Sequence, residues 1–131
     1  MKKKIYIVIT GGAGFVGSNL IEYLLENTNL KIISLDNYSS GSKKNHIISK
    51  RVKYFNGDCS KISFYLSSYK YKINSIFHFG EFSRIYQSFK HFDKCFESNS
   101  QGSQAVFKFC LDHNIKLIYS ATSAALGNKG D

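Results

Sequence analysis

The sequence lacks the features that mark a membrane or secreted protein. Proline is absent altogether, and we attach no functional meaning to that. No apolar run approaches the roughly 20 residues that a membrane-spanning helix needs. The run Ile5–Ile9 follows three lysines, as in a secretory signal, but it is too short and it ends at Gly11 and Gly12. We therefore expect a cytoplasmic protein that does not bind a membrane.

Cysteine is scarce and unpatterned. The chain has three cysteines, Cys59, Cys95 and Cys110, and none of them forms a CxxC motif. An odd number without that spacing argues against a disulfide framework and against a zinc site. It suits a reducing compartment, and we expect no metal.

Acidic residues are outnumbered, 9 Asp and Glu against 18 Lys and Arg, so that the net charge is +9. A basic balance can indicate a nucleic acid, an anionic membrane or a phosphorylated ligand as partner. Apart from Lys2 to Lys4 and the pair Lys43 and Lys44, however, the lysines are scattered. No alternation of aromatic and basic residues, as in single-strand binders, is present. A solvated basic surface is the favoured interpretation, and no nucleic-acid partner is expected.

Short apolar runs alternate along the chain with longer amphipathic ones, a pattern typical of βα units on a parallel sheet. The predicted strands are Ile5–Ile9, Lys31–Leu35, Val52–Phe55, Ile73–Phe79 and Lys116–Tyr119. The length of 131 residues suits one domain, residues 1–131. The predicted fold class is α/β, a Rossmann-type doubly wound parallel sheet of about five strands.

Helices are predicted between the strands. Phe15–Glu26 has apolar residues at helical spacing (Val16, Leu20, Tyr23 and Leu24). Ile62–Tyr69 gives a weaker helical signal. Phe96–Asn114 is predicted to be a helix that turns Val106, Phe107, Cys110 and Leu111 toward the sheet.

The strongest motif is the segment from Thr10 to Gly17, TGGAGFVG, placed between a predicted strand and a predicted helix. Gly12, Gly14 and Gly17 satisfy GxGxxG, whereas Gly11, Gly14 and Gly17 satisfy GxxGxxG. A pyrophosphate needs backbone N–H groups that face it, and a helix N-terminus provides them where no side chain blocks the approach. The context favours a dinucleotide site over a merely structural glycine turn.

Acidic residues end the next two predicted strands. Asp36 follows strand two, 19 residues beyond Gly17, where a carboxylate accepts hydrogen bonds from ribose hydroxyls and repels a 2′-phosphate. This favours NAD over NADP, although Lys43 and Lys44 nearby would weaken the preference. A turn aspartate is the alternative. Asp58, after Asn56 and Gly57, is either a simple turn residue or a contact to adenine.

Taken in order, TGGAGFVGSNL, LDNYSSGS, GD, HFGEFSR, Asn99 and YSATSAALG resemble the extended short-chain dehydrogenase/reductase family. Within it, the likeness is to NAD-dependent sugar-nucleotide epimerases and dehydratases of the UDP-glucose 4-epimerase type. It extends from Lys4 to Gly127. It implies an NAD cofactor, a sugar-nucleotide substrate and transient hydride transfer between the two.

The resemblance also assigns residues to the site. Those given to the cofactor are Gly11, Gly14, Phe15, Val16 and Gly17 at the pyrophosphate, Asp36 and Asn37 at the ribose, Asp58 and Cys59 at adenine, Phe79 and Gly80 beside strand four, and Asn99, which orders nearby water. Thr122 is implied as the catalytic hydroxyl that bonds the reacting sugar, with Ser123 as its rival. A loop hydroxyl that caps backbone groups is the alternative for both.

The chain also departs from the family pattern. Glu81 enlarges a run of small residues, Leu126 stands where tyrosine is common, and His78 is expected to be packed rather than catalytic. The family's YxxxK pair, in which lysine lowers the pKa of a general-acid/base tyrosine, follows strand five and is absent before Asp131. The YxxxK string at Tyr86–Lys90 lies between strands four and five and is not expected to be catalytic.

Little turnover is therefore expected from these 131 residues alone. The alternative is a non-catalytic NAD-binding module, or a split or truncated protein that a partner chain or a second copy completes. The sugar nucleotide, and the choice between epimerisation and dehydration, are left open.

Overall fold

Five parallel strands form a single sheet in the computed structural model, which describes residues 2–121. The strands are β1 (Tyr6–Thr10), β2 (Lys31–Asp36), β3 (Val52–Asn56), β4 (Ile73–His78) and β5 (Lys116–Tyr119). Their order across the sheet is β3-β2-β1-β4-β5. The predicted fold class is confirmed, and each predicted strand is present to within one residue at either end.

Helices connect the strands, except between β2 and β3, where a 3-10 turn lies at Lys43–Asn45. They are α1 (Phe15–Asn27), α2 (Ile62–Leu66), α3 (Ile85–Lys90), α4 (Phe92–Phe96) and α5 (Ser103–Asp112), with a π-helical segment at Glu97–Gly102. The helix predicted from Phe96 to Asn114 is thus divided between three elements. The one predicted from Ile62 to Tyr69 ends at Leu66, and a 3-10 turn at Lys70–Lys72 leads into β4.

Alternate residues of the central strands enter two separate cores, one on each face of the sheet. Val8 belongs to the core that includes Ile62 of α2 and Phe109 of α5. Ile7 and Ile9 belong to the core that includes Ile21 and Leu24 of α1. Because both faces are covered, β1 is apolar along its whole length, as is usual in parallel sheets.

The buried faces of α1 and α5 differ from the predicted ones by a rotation of the helix. On α1 the buried residues are Gly17, Ile21 and Leu24, whereas Val16 and Tyr23 are exposed. On α5 the buried residues are Ser103, Val106, Phe109 and Cys110, whereas Phe107 is 41% exposed and Leu111 82%. In both helices the residues that face the sheet are spaced three or four positions apart. The prediction assigned some apolar residues beside this stripe to the buried face, although they are exposed.

The order of the strands reverses between β1 and β4. From β1 the chain adds β2 at one edge of that strand, and β4 later pairs with the other edge of β1. In open α/β sheets, ligands bind at this point, beyond the carboxyl ends of the strands. Among the described residues, no helix is long and apolar enough to cross a membrane.

Candidate functional site

A cleft of about 640 Å³ lies at the carboxyl ends of the strands, over the point where their order reverses. Its volume falls within the range typical of small-molecule sites. Most of the residues expected at a cofactor lie in its wall. These are Gly11, Gly14, Phe15, Val16, Gly17, Asp36, Asn37, Phe79, Gly80 and Asn99.

Two glycines shape the turn between β1 and α1. Gly11 has φ +73°, a conformation that side-chain-bearing residues rarely adopt, and a Cβ there would lie 2.8 Å from the carbonyl oxygen of Phe79. A Cβ on Gly17 would lie 2.3 Å from the carbonyl oxygen of Gly11. The first glycine therefore lets the turn pass close to β4, and the second lets α1 pack against that turn.

The N-terminus of α1 opens into the cleft with its amide groups uncapped. Gly14 occupies the N-cap position and has no side chain to bond them, and the first turn contains no acidic residue. The first two side chains of the helix, Phe15 and Val16, are 83% and 57% exposed. Unpaired N–H groups and the positive end of the helix dipole make such a terminus suited to an anion.

Asp36 ends β2 with its carboxylate beside this turn, and the residue is only 8% exposed. Its Oδ2 accepts a hydrogen bond from the Ala13 amide at 2.9 Å, and Oδ1 accepts one from the Tyr38 amide at 2.7 Å. Tyr38 has φ +59°, so this bond holds the start of the following loop in an uncommon conformation. Since each carboxylate oxygen has two lone pairs, Asp36 can still accept a bond from a ligand.

Asp58 and Cys59 are outside the wall of this cleft. The Asp58 carboxylate accepts from the Ser60 amide at 2.8 Å and lies 3.4 Å from the side-chain nitrogen of Asn37, which does line the cleft. The Cys59 thiol is buried behind Gly80, and burial raises its pKa to about 12. Their assignment to adenine stays a prediction.

Asn99 holds the loop that follows β4. Its Oδ1 accepts from the Phe82 amide at 2.6 Å, and its Nδ2 donates to the Phe82 carbonyl at 2.9 Å. Asn99 lies in the π-helical segment, whose neighbour Ser98 also donates to the Gly80 carbonyl at 3.3 Å. π-Helical turns are rare and often occur at functional sites. In this chain the π-turn presents two side chains to one wall of the cleft.

His78 ends β4 in the interior, 1% exposed, as expected of a packed residue. The Thr10 hydroxyl oxygen accepts the amide hydrogens of Phe79 at 3.1 Å and Gly80 at 3.0 Å. With both lone pairs engaged, Thr10 donates its own hydrogen to His78 Nδ1, 2.6 Å away. The imidazole is therefore neutral and carries its proton on Nε2.

The same chain of hydrogen bonds continues to the surface of the cleft. His78 Nε2 donates to Ser103 Oγ at 2.8 Å, and Ser103 donates to Glu81 Oε1 at 2.5 Å. The Tyr119 hydroxyl donates to the same oxygen at 2.7 Å. Burial lowers the pKa of His78, although the Glu81 charge opposes this, and the bond to Glu81 raises the pKa of Tyr119. One carboxylate oxygen thus ends a network that joins β1, β4, β5 and α5.

This network of hydrogen bonds was not predicted from the sequence. In the sequence, Glu81 stands out only as a bulky residue among small ones, Tyr119 only as the first residue of the YSATSAALG segment, and Ser103 belongs to no motif. Glu81 and Tyr119 both line the cleft, as does Arg84. Their meeting depends on the β4–β5 register, in which His78 lies opposite Tyr119.

Some candidate residues lie elsewhere. Thr122 and Ser123 are outside the described residues, and their roles stay predictions. Tyr86 and Lys90 lie on α3, with the Lys90 ammonium 5.1 Å from the centre of the exposed Tyr86 ring. Neither of them lines the cleft. Within residues 2–121, no three side chains of the metal-binding kinds lie close enough to hold a metal ion.

The turn before α1, the uncapped N-terminus of α1 and the buried Asp36 carboxylate each depend on particular residues at particular positions. Proteins of one sequence family can share such residues. The model of the NAD dependent epimerase/dehydratase family matches residues 7–131, which is nearly the whole chain. The chain belongs to this family. Its membership confirms the resemblance on which the sequence-based expectations rest.

Solved structures agree with this result. The chain is similar to the UDP-glucose 4-epimerase of Thermotoga maritima in complex with UDP-glucose, at 25% identity and a TM-score of 0.81 over 92% of this chain. The UDP-Glc/GlcNAc 4-epimerase of Campylobacter jejuni matches at 29% identity and a TM-score of 0.82 over 93%. The UDP-glucose 4-epimerase of Thermus thermophilus in complex with NAD matches at 26% and 0.77 over 89%.

The chain spans less than two-fifths of the length of these three enzymes, 38%, 38% and 37% respectively. The matched part carries the parallel sheet and the cleft above it.

Proposed function

We propose that this chain is the NAD-binding part of a sugar-nucleotide epimerase or dehydratase. One observation carries the proposal: the uncapped N-terminus of α1 and the buried carboxylate of Asp36 border the same cleft at the carboxyl ends of β1 and β2. An anion site next to a ribose-binding acceptor is what a dinucleotide requires. The relatives solved with NAD and with UDP-glucose support this choice of cofactor and substrate class.

The residues present fit NAD. The amides of the first turn of α1 would bond the pyrophosphate, because Gly11 and Gly14 leave the approach open. Asp36 would accept bonds from the adenosine ribose, and its charge would repel the 2′-phosphate of NADP. When bound, NAD supplies a site that takes up a hydride from the substrate and returns it. Phe79, Gly80 and Asn99 would border the cofactor on the β4 side.

Chemistry on the sugar requires residues beyond this cleft. Thr122, with Ser123 as its rival, would bond the reacting hydroxyl and hold it in line for loss of its proton. The Tyr and Lys pair that the resemblance places after β5 is not among these 131 residues. We therefore propose that residues 1–131 by themselves bind NAD without measurable epimerase turnover, and a coupled assay with UDP-glucose tests this.

Calorimetric titration with NAD⁺ and NADP⁺ tests the cofactor assignment. Saturable binding of NAD⁺, and weaker binding of NADP⁺, is expected. Asp36→Ala should weaken NAD⁺ binding, whereas Asp93→Ala, an equal loss of charge on the exposed α4, should not. Since Asp36 also anchors the Ala13 and Tyr38 amides, circular dichroism must show that the variant is folded. A folded wild-type protein that binds neither nucleotide would refute the assignment.

A second candidate function is a non-catalytic module that a partner chain or a second copy completes. The observation in its favour is a second cleft, of about 580 Å³, which borders Phe107, Leu111 and Tyr119. All three are substantially exposed, at 41%, 82% and 45%. Exposed apolar clusters of this kind favour association. Sedimentation of the 131-residue chain as a monomer at all concentrations would argue against this candidate.

A further inference from the structure

Glu81 lies in the half of the cleft that is opposite Asp36. Asp36 ends β2, whereas Glu81 follows β4 and bonds Tyr119 at the end of β5. In the order β2-β1-β4-β5, strands β2 and β5 are three spacings apart, which is about 14 Å. A dinucleotide whose adenosine ribose is bound at Asp36 extends across the point where the order reverses. Its nicotinamide half would therefore lie on the Glu81 side.

The loop that carries Glu81 is fixed on both sides of it. The Gly80 amide is bonded by the Thr10 hydroxyl, and the Gly80 carbonyl by Ser98. The amide and the carbonyl of Phe82 are both bonded by Asn99. The backbone on either side of Glu81 is therefore already held in place without a ligand. A ligand that interacts with the Glu81 carboxylate does not have to order this loop first.

The charge of Glu81 has no cationic partner in the described part of the chain. Its Oε1 accepts hydrogen bonds from two neutral hydroxyls, those of Ser103 and Tyr119. His78 Nε2 is 4.0 Å away, but the Thr10 bond fixes His78 as a neutral acceptor at Nδ1. Arg84 also lines the cleft, where it is exposed to solvent.

We propose that the Glu81 carboxylate biases the bound cofactor toward its oxidised form. The inference rests on the proposed function, because it needs a nicotinamide dinucleotide in the cleft. The oxidised ring carries a positive charge and the reduced ring is neutral, so a nearby carboxylate attracts only the oxidised one. By Coulomb's law, two opposite unit charges about 8 Å apart at an effective dielectric constant of about 40 attract each other enough for a roughly fivefold change in relative affinity.

The test compares the dissociation constants of NAD⁺ and NADH for wild-type protein and Glu81→Gln. Glutamine keeps an oxygen that can accept the Ser103 and Tyr119 bonds, so the variant removes the charge and preserves the shape. We expect NAD⁺ binding to weaken about fivefold relative to NADH binding. Glu26→Gln is the matched control, since it removes the same charge from an exposed position at the far end of α1.

Raising the salt concentration provides a second measurement. The effect of Glu81 on the affinity ratio should shrink in concentrated salt, because screening weakens a charge–charge interaction. A purely structural role of Glu81 would weaken the binding of both forms alike and leave their ratio unchanged. Binding of both cofactors with the same ratio in wild type and Glu81→Gln would overturn this inference and leave the proposed function standing. Wild-type protein that binds neither cofactor would overturn both.

Discussion

Gly14 and Gly17 are placed under different constraints by the turn before α1. A Cβ added to Gly14 would meet only the Gly11 carbonyl oxygen, at 3.3 Å, and the φ of −80° at this residue suits alanine. A Cβ added to Gly17 would approach the same oxygen to 2.3 Å and the Gly12 Cα to 2.7 Å. Gly14 therefore keeps space free for a ligand, whereas Gly17 lets α1 pack closely against the turn at Gly11 and Gly12.

The two alanine variants should therefore fail in different ways. Gly14→Ala should keep nearly the wild-type free energy of unfolding but bind NAD⁺ about tenfold more weakly, since its methyl group would stand in the approach to the helix N-terminus. Gly17→Ala should lower the free energy of unfolding by about 1–3 kcal/mol, as overpacking does. Urea denaturation and calorimetry separate the two effects. Equal destabilisation by both variants would contradict this assignment.

Single residues differ in how far the sequence could predict them. Gly11 and Gly17 follow from the backbone needs of a nucleotide-binding turn, and Asp36 follows from the acceptor that a ribose requires. The structure places all three at one cleft. Glu81 could not be assigned, because its environment comes from Ser103 and Tyr119, which are distant in sequence. A sequence motif consists of residues that are close along the chain, whereas this network forms only between residues that the order of the strands brings together.

The C-terminus of α1 depends on a residue from another element. The last turn of α1 contains no basic residue of its own. Arg51, just before β3, donates to the carbonyl oxygens of Leu25 and Thr28, the latter at 2.5 Å. These oxygens would otherwise have no helical partner, and a guanidinium is suited to bonding several of them at once.

Removing this cap should destabilise the whole domain. We expect Arg51→Ala to lower the free energy of unfolding by about 1.5–3 kcal/mol, in keeping with hydrogen bonds from a charged group. Arg51→Lys should recover little of the loss, because one ammonium cannot replace the forked guanidinium. Lys50→Ala, at the exposed neighbouring position, serves as control. Chemical denaturation measures all three, and an unaffected Arg51→Ala variant would show that water satisfies the carbonyls equally well.

The strands and the helices α1, α2 and α5 were predictable from periodicity, whereas α3, most of α4 and the interruption before α5 were not. The π-helical segment Glu97–Gly102 has the same polar composition as an exposed helical turn. What distinguishes it is the position of Asn99 against the Phe82 backbone, which is a tertiary contact. Local propensity carries no information about such a contact, and so the sequence predicted one continuous helix.

For the molecule as a whole, the buried neutral His78 links stability to pH. Burial lowers its pKa in the folded state, so the unfolded chain binds more protons as the pH falls below the ordinary histidine value of about 6.5. The contribution of His78 to the free energy of unfolding is therefore fully present above that pH and declines below it, because protonation favours the unfolded chain.

The free energy of unfolding should therefore fall between about pH 7 and pH 5, by at most about 1.4 kcal/mol per pH unit for one proton. His78→Asn should flatten this slope, because asparagine can accept the Thr10 bond and does not titrate. His91→Gln, at an exposed histidine, should retain it. Urea titrations across this pH range measure the slopes, and an unchanged slope in His78→Asn would assign the linkage to other groups.

The arrangement of the sheet also bears on how the chain is made. Thr10 and His78 pair across β1 and β4 although 68 residues separate them, so one edge of the central strand has no partner until His78 has been synthesised. Contacts of such long range slow folding, and an open strand edge invites pairing with other chains. During translation the half built from β1, β2 and β3 precedes the rest, and the cleft comes into being only when β4 occupies the vacant edge. A nascent chain is thus most exposed to mispairing in the interval just before the ligand-binding site forms.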